Sequence, residues 1–453
     1  MLFSLTNPEV AILMMGIFLF AVLLGFPIAF TLMAMGLGFG YYAYFDPTKM
    51  EHLFDNRIFQ LFVQNTYTVM DNNVLTAVPL FLFMGYLVER AGIVAKLFFA
   101  IRLASHKLPA SMAVAALITC TLFSTATGII GAVVTLMGLL AWPAMVKAGY
   151  DKKFASGIIC AGGCLGILIP PSIMLIVYSV IAQLSPLRLF AAAIFPGLML
   201  AGLYIGYAVF RAWLNPSIAP KPAAEEIPPT AEIMKEVLVS FLPLFSLIIL
   251  VLGTILAGIA TPAEAAAVGA FGALVLSYFY KTLKWKNFKE SVFLTAKTTA
   301  MIMWLFIGSW TFASVFSYLG GHEVFEHFFK SLNLQPWQFL VITQIIIFLL
   351  GWPLEWTEIL IIFVPIFLPL VEFFGVNPYF FAMLIALNLQ TSFLTPPMAM
   401  SAYYLKGVQS KNVELMEIFR GIMPFLAIVI FAMVLMYWFP GIALWLPETL
   451  FAN

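Results

Sequence analysis

The chain has 453 residues, of which 63% are hydrophobic and 9% are charged, and its formal net charge is +1. A mean hydropathy of +1.03 lies outside the range of water-soluble folds, so the chain is predicted to be embedded in a lipid bilayer. The near-neutral charge excludes the basic surface that nucleic-acid binding requires. Cys120, Cys160 and Cys164 lie within apolar runs, which excludes a disulfide framework and favours packing over metal binding.

Uncharged apolar runs recur along the whole chain. A membrane-spanning helix needs ~20 apolar residues, and several of the runs are long enough for two crossings or a hairpin. Counted this way, they predict an all-α polytopic membrane protein with roughly ten to fourteen membrane segments. The N-terminus lacks the basic region of a secretory signal, so the first run is predicted to be a retained helix. The runs are 10–45, 108–146, 154–187, 189–210, 237–263, 298–321, 331–354, 373–405 and 421–447.

The run 108–146 is interrupted by the polar sequence "STATG". The run is too long for a single crossing, so we predict a crossing followed by a re-entrant hairpin with its tip near Ser124 and Gly128. Irregular backbone at membrane depth is tolerated only where it is buried or lines a cavity. The tip is therefore expected to contact protein, water or ions rather than lipid.

The next run contains two adjacent prolines, Pro170 and Pro171, in "GILIPPSI". Proline in a helix interior removes a backbone donor and clashes with the preceding turn, at a cost of ~3 kcal/mol or more. The helix is predicted to break here and to free carbonyl oxygens around Gly166.

A polar, proline-rich stretch separates two halves of similar length. Residues 215–232, "NPSIAPKPAAEEIPPTAE", are predicted to be a linker between a first repeat at 1–214 and a second at 233–453. Both halves open on a capping box, Thr6 with Glu9 and Thr261 with Glu264. We interpret Glu264 as a cap; an intramembrane ion ligand is the alternative.

The second half repeats the two interruptions. "GWPLEWTE" at 351–358 is polar, and its Glu355 and Glu358 are expected to lie near an interface or to be paired, because an unpaired carboxylate at the bilayer centre is costly. "SFLTPPMA" then places Pro396 and Pro397 inside another apolar run.

The two Pro-Pro segments belong to an internal repeat. Sliding the sequence on itself until Pro170 meets Pro396 aligns 143–178 with 369–404 without gaps, and nine aligned positions are identical. The turn before the first break carries Lys147, Lys152 and Lys153, whereas its equivalent has no Lys or Arg. Because short cytoplasmic loops collect positive charge, the turns are predicted to face opposite sides, which makes the repeat an inverted one.

Paired broken helices in inverted halves indicate a midplane binding site in a secondary transporter. Freed carbonyls with the hydroxyls of Ser172, Thr391, Ser392 or Thr395 would form a neutral oxygen site suited to Na⁺. The alternative is a proline kink satisfied by neighbouring Ser and Thr side chains. No Walker loop, HExxH motif or paired CxxC is present, so neither an enzyme nor an organic cofactor is expected.

Six stretches resemble the large membrane (permease) subunit of the tripartite ATP-independent periplasmic (TRAP) transporters, within the ion-transporter superfamily. They are "GFPIAF" (25–30), "VPLFLFMGYLVERAGI" (78–93), "STATGIIGAVVTLMGLLAWPAM" (124–145), "GYDKKFASGIICAGGCLGILIPPS" (149–172), "GIATPAEAAAVGAFGALV" (258–275) and "NLQTSFLTPPM" (388–398).

The resemblance implies a Na⁺-coupled importer of small organic acids (2-oxo acid, hydroxy acid or dicarboxylate) in the bacterial inner membrane. It implies a scaffold and an elevator transport domain, a periplasmic substrate-binding protein, and a small four-helix membrane subunit that the length of this chain predicts to be separate. Substrate is expected between the hairpin tips, near Thr127 and Glu355. The implied Na⁺ sites combine each tip with the facing break: Ser124, Thr125, Thr127, Gly128, Gly166, Pro170, Pro171 and Ser172 in one half, and Thr357, Thr391, Ser392, Thr395, Pro396 and Pro397 in the other.

Two alternatives remain at the level of sequence. A binding-protein-independent Na⁺/dicarboxylate carrier of the same superfamily would share the inverted hairpins. A channel or a membrane enzyme would be a different class of protein.

Overall fold

A computed structural model describes residues 6–48, 50–220, 229–409 and 413–451. Over these residues the chain folds into helices joined by turns and contains no strand, which confirms the predicted all-α class. Residues 221–228 of the predicted linker lie outside the described residues. The part before them holds a short 3₁₀ turn, Pro216–Ile218, and the part after them enters the helix Thr230–Leu256.

The first half supplies ten α-helices among the described residues. In chain order they are α1 (Asn7–Leu23), α2 (Ile28–Ala43), α3 (Arg57–Met70), α4 (Ala77–Arg90), α5 (Ile93–Ala104), α6 (Ser111–Thr127), α7 (Ile130–Lys147), α8 (Lys152–Cys164), α9 (Ile173–Ala182) and α10 (Pro186–Leu214).

The second half continues the series and includes one π-helical turn, Ile359–Phe363, between α16 and α17. Its helices are α11 (Thr230–Leu256), α12 (Pro262–Phe279), α13 (Trp285–Tyr318), α14 (Gly321–Ser331), α15 (Pro336–Leu350), α16 (Trp356–Glu358), α17 (Val364–Phe373), α18 (Pro378–Leu394), α19 (Met400–Val408), α20 (Leu415–Trp438) and α21 (Gly441–Leu450).

Many of these helices are suited to a bilayer. Within the described ranges, seven are long and apolar enough to cross it, and α4 with α5 forms a further apolar pair bent by 63°. Six shorter apolar helices, including α6, α9, α15 and α18, have 10 to 17 residues, less than the ~20 that a full crossing needs. The number of crossings, expected to be ten to fourteen, stays a prediction.

Corresponding helices of the two halves have corresponding bounds. The arm α7 (Ile130–Lys147) and the continuous arm Trp356–Phe373 begin and end at equivalent positions of the sequence repeat, and α8 and α18 begin at equivalent positions too. Each arm is followed by a glycine in the left-handed region, Gly149 at φ +84° and Gly375 at φ +63°. Both glycines follow the C-terminus of a helix, where this conformation commonly ends it. Helix termination therefore explains why both halves have a glycine at this position.

Small residues allow several helices to approach closely. Gly36 and Gly40 of α2 face α13, and Gly162 of α8 faces Cys120 of α6, as expected for small-residue packing between membrane helices. A Cβ placed on Gly36 would lie 3.0 Å from the backbone nitrogen of Phe312. These glycines therefore allow close contact between neighbouring helices.

The two hairpins exchange partners. The second arm of the first hairpin, α7, packs against α19, which follows the second Pro-Pro break. The second arm of the other hairpin packs against α9, which follows the first break. The hairpins and broken helices therefore form one cluster, while α2 with α13 and α4 with α12 form the closest helix pairs outside it.

Candidate functional site

The tip of the first hairpin lies against the first break. Gly128 ends α6 at φ +63°, a conformation that glycine adopts without strain. A Cβ placed on Gly128 would lie 3.6 Å from the side chain of Ile173, at the start of α9. A Cβ placed on Gly166 would lie 3.3 Å from Oγ of Ser124. The structure therefore brings the predicted tip and the predicted break together.

Pro170 and Pro171 deprive two carbonyls of their helical donors. In a continuous helix the N–H groups of residues 170 and 171 would bond to the carbonyls of Gly166 and Ile167. The hydroxyl of Ser172 donates to the Ile167 carbonyl instead, and the carbonyl of Gly166 has a proline four residues ahead. All five residues are buried, and the Pro170–Pro171 peptide bond is cis.

The second break has the same arrangement. Pro396 and Pro397, also joined by a cis peptide bond, remove the helical donors to the carbonyls of Ser392 and Phe393. The hydroxyl of Ser401 donates to the Phe393 carbonyl at 2.6 Å, as Ser172 does in the first half. Pro397 is exposed, so this break reaches the surface whereas the first is enclosed.

The tip of the second hairpin meets the second break through another glycine and serine. A Cβ placed on Gly351 would lie 3.1 Å from Cβ of Ser392. In the first half the hairpin contributes the serine, Ser124, and the broken helix contributes Gly166. In the second half the roles are exchanged, and Ser392 occupies the position equivalent to Gly166 in the sequence repeat.

Both junction serines are buried without a partner. Ser124 is 0% exposed and Ser392 is 5% exposed, and among the described residues neither hydroxyl has a hydrogen-bond partner. An unsatisfied buried hydroxyl costs ~1–3 kcal/mol. Ser124 lies against Gly166, and the carbonyls of Gly166 and of Ser392 itself each have a proline at the helical donor position. Unwound carbonyls of this kind coordinate Na⁺ in transporters with broken helices.

The predicted threonines at the tips and breaks differ in their bonding. Thr357 is 2% exposed, and its hydroxyl lies beside the carboxyl of Glu358. The other four donate to carbonyls of their own helices, which leaves the oxygen lone pairs as acceptors. Their bonds are Thr125 to Leu122 at 2.6 Å, Thr127 to Phe123 at 3.1 Å, Thr391 to Asn388 at 2.6 Å and Thr395 to Thr391 at 2.7 Å.

The predicted substrate region is bordered by α4 and α19. Thr127 faces Gly85 of α4, where an added Cβ would lie 2.9 Å from Cα of Thr127. Glu355 lies in the neighbourhood of Tyr404 of α19, whose ring would lie 3.0 Å from a Cβ placed on Gly131 of the first hairpin. Two cavities of about 360 and 780 Å³ are lined by neither Thr127 nor Glu355, and the smaller one is lined by Thr391 of the second break.

Buried amides near the second junction were not predicted. Asn388 donates from Nδ2 to the carbonyl of Gln344 at 2.7 Å and to its side-chain oxygen at 2.9 Å, and so joins α18 to α15. Gln390 is fully buried. The signal in the sequence was the pair of amides in "NLQTS" within an apolar run, because buried polar groups require partners.

The carboxylates have separate roles. Glu358 is 5% exposed, and its Oε2 has no partner among the described residues, so it is buried in protein, while its expected position near a membrane interface stays a prediction. The α16 turn packs against α9, a contact that sequence spacing does not reveal. Glu264 is exposed and accepts the N–H of Thr261 at 2.8 Å, which confirms the cap.

The three cysteines are buried and not disulfide-bonded. Within the described ranges, no three His, Cys, Asp or Glu side chains are grouped to hold a metal ion. Oxygen atoms of serine, threonine and the main chain are groups that both junctions offer to a cation, and the second junction also has the buried Glu358 carboxyl beside Thr357.

Comparison with known proteins identifies a family. Residues 15–442 match the model of the tripartite ATP-independent periplasmic transporter, DctM component. The chain is 29% identical over 388 residues to the C4-dicarboxylate TRAP transporter large permease protein DctM of Pseudomonas aeruginosa, covering 85% of this chain and 88% of that protein. It is 31% identical over 385 residues to the sialic acid TRAP transporter large permease protein SiaM of Vibrio cholerae, covering 84% and 87%.

A longer relative and a solved structure extend the comparison. The isethionate TRAP transporter permease protein DctMQ of Oleidesulfovibrio alaskensis is 28% identical over 387 residues, which cover 84% of this chain and 59% of that protein. The fold is similar to that of the Alcanivorax borkumensis YdaH transporter, with a TM-score of 0.60 at 15% identity over 92% of this chain and 98% of that one.

Proposed function

The chain belongs to the DctM component family of the tripartite ATP-independent periplasmic transporters, and from this membership we propose that it is the permease subunit of a Na⁺-coupled, binding-protein-dependent importer of small organic acids. It is a transport protein rather than an enzyme. The proposal places one Na⁺ at each junction between a hairpin tip and a broken helix.

The pair of junctions carries the Na⁺ proposal. Ser124 and Ser392 are buried hydroxyls without partners in the described part of the chain, and each lies at a helix broken by Pro-Pro. Unpartnered buried hydroxyls also occur away from the junctions, for example at Thr119 and Ser277, so one of them alone carries no argument. Two unpartnered hydroxyls at corresponding junctions, with the glycine and serine exchanged, favour a common ligand that is coordinated by oxygen atoms. Na⁺ meets this requirement, because it binds neutral oxygens without a proton being released.

Electrostatics favours cotransport with cations. Moving one charge against the membrane potential costs ~2.3 kcal/mol per 100 mV, so a dianion entering a negative cell faces about twice that cost. Two Na⁺ ions would cancel the charge of a dianion, and a third would make import electrically driven. One Na⁺ at each of the two junctions would thus supply the minimum that a dicarboxylate requires.

We propose inverted repeats that move by an elevator mechanism. The hairpins and broken helices form one cluster that would act as the transport domain, and α2, α4, α12 and α13 would belong to the scaffold. One bond between the two parts is Ser309 Oγ–H of α13 to the Ile361 carbonyl at 3.2 Å. Pro365, four residues after Ile361, has no N–H to occupy that carbonyl, so Ser309 supplies a donor that the helix itself lacks there.

The proposed substrates are 2-oxo acids, hydroxy acids or dicarboxylates, bound between the hairpin tips near Thr127 and Glu355. Relatives are named for C4-dicarboxylate, sialic acid and isethionate transport, and these names support an organic acid without selecting one. The proposed partners are a periplasmic binding protein and a separate small four-helix membrane subunit. The proposed location is the bacterial inner membrane.

Uptake by the reconstituted complex tests the proposal. Proteoliposomes containing the chain and the small membrane subunit would be given the binding protein, a panel of labelled organic acids and an inward Na⁺ gradient. We expect accumulation of at least one acid only when both the gradient and the binding protein are present. A K⁺ gradient of equal size controls for membrane potential and osmotic effects.

Two results would contradict the proposal in different ways. Uptake that continues unchanged when Na⁺ is equal on both sides would refute Na⁺ coupling. Full uptake without the binding protein would favour a binding-protein-independent carrier of the same superfamily.

A further inference from the structure

A groove with a basic end lies between the end of α4 and the start of α13, away from the two junctions. Its volume is about 560 Å³, large enough for a polar head group and part of a chain. Its lining combines three cationic side chains, one carboxylate and two apolar side chains: Arg90, Lys286, Lys289, Glu290, Phe293 and Leu294.

The charges in this groove do not balance. Arg90 forms an ion pair with Glu290, which is the single carboxylate among the lining residues. Lys286 and Lys289 therefore add two positive charges that no acid of the groove neutralises. Lys289 also lies with Nζ 5.7 Å from the ring centroid of Phe293, so its charge is held at the boundary between the polar and apolar parts.

Polarity in the groove changes along the axis of α13. Lys286 and Lys289 lie in the first turns of the helix, and Phe293 and Leu294 follow one turn later. At a rise of 1.5 Å per residue, Lys286 and Phe293 are about 10 Å apart along the axis. Trp285, beside the basic end, is 76% exposed, as is typical of tryptophan at the level of lipid head groups.

We propose that this groove binds an anionic phospholipid. The phosphodiester would lie between Lys286 and Lys289, and the part of the acyl chain nearest the head group would lie along Phe293 and Leu294. Basic pockets between membrane helices bind anionic head groups for this reason. A zwitterionic lipid would bring an ammonium group toward the same lysines, and a free phosphate would leave the apolar part uncovered. The proposal does not depend on Na⁺ coupling.

Native mass spectrometry of the full chain, with any membrane subunit that co-purifies, tests this assignment. The delipidated protein would be titrated with phosphatidylglycerol and with phosphatidylcholine of the same acyl chains, and separately with glycerol 3-phosphate. We expect preferential binding of phosphatidylglycerol. A lysine facing an anionic lipid contributes about fivefold in affinity, so the double variant Lys286→Gln, Lys289→Gln is expected to bind it about 30-fold more weakly.

A matched double variant, Lys281→Gln with Lys284→Gln, removes two charges of the same basic segment that do not line the groove. It is expected to keep at least one third of the wild-type affinity. Equal losses of affinity in the two double variants would show that the basic segment attracts anionic lipid diffusely, and would refute a specific site in the groove. Unchanged binding in the groove variant, equal binding of the two lipids, or displacement by glycerol 3-phosphate at similar concentrations would each refute the lipid site.

Discussion

Ser124→Ala separates the ion-site interpretation from a packing interpretation by the sign of its effect. The Ser124 hydroxyl is fully buried and has no hydrogen-bond partner among the described residues. If nothing binds there, alanine removes a group whose burial costs ~1–3 kcal/mol, and the variant is as stable as the wild type or more stable. If Na⁺ binds there, alanine removes one of its oxygen ligands.

The size of the Na⁺ effect can be estimated from the lost ligand. An interaction between a polar group and a charge contributes ~1.5–3 kcal/mol, and a loss of ~2 kcal/mol weakens Na⁺ binding by about 30-fold. At a Na⁺ concentration 100 times the wild-type Kd, binding stabilises the wild type by ~2.7 kcal/mol. The same relation leaves ~0.9 kcal/mol for the variant.

Thermal unfolding with and without Na⁺ provides the measurement, with choline as the replacement cation. The expected pattern is a smaller Na⁺-dependent rise in Tm for Ser124→Ala, with no loss of Tm in choline. Ser179→Ala is the matched control, because Ser179 is also buried but already donates to the carbonyl of Ile176 at 2.7 Å. A Na⁺ response in Ser124→Ala equal to that of the wild type would refute the assignment of this hydroxyl.

Three other outcomes follow from the structure. Ser392→Ala is expected to weaken Na⁺ dependence about 30-fold as well, for the same loss of ~2 kcal/mol; an unaltered Na⁺ dependence of uptake would refute the assignment of the second Na⁺ site. Single cysteines at Lys152 and Val376 are expected to react with impermeant reagents from opposite sides of the membrane, and labelling from one side would contradict the inversion. Gly157→Ala is expected to lower stability by ~1–3 kcal/mol in detergent, because its Cβ would lie 2.8 Å from a carbonyl carbon of α20. Gly202→Ala on α10, with no atom within 4 Å, is the control and is expected to leave Tm unchanged or raised.

Local chemistry explains what could be predicted from the sequence. Long uncharged runs can be satisfied only as helices in lipid, so the helical membrane fold was readable. Proline cannot donate a backbone hydrogen bond in any tertiary context, so the breaks at Pro170 and Pro396 could be located. The capping box of Glu264 depends on residues three apart, and the structure shows it as expected.

Contacts between distant segments required the tertiary structure. The pairing of Ser124 with Gly166 and of Gly351 with Ser392 depends on how each hairpin folds back onto a helix that follows it in the chain. Burial of Glu358 likewise depends on packing against the opposite half. The sequence by itself determined where helices must break, because that follows from single residues. Only the packed structure decided which oxygens are left without partners, because burial and bonding depend on every neighbouring segment.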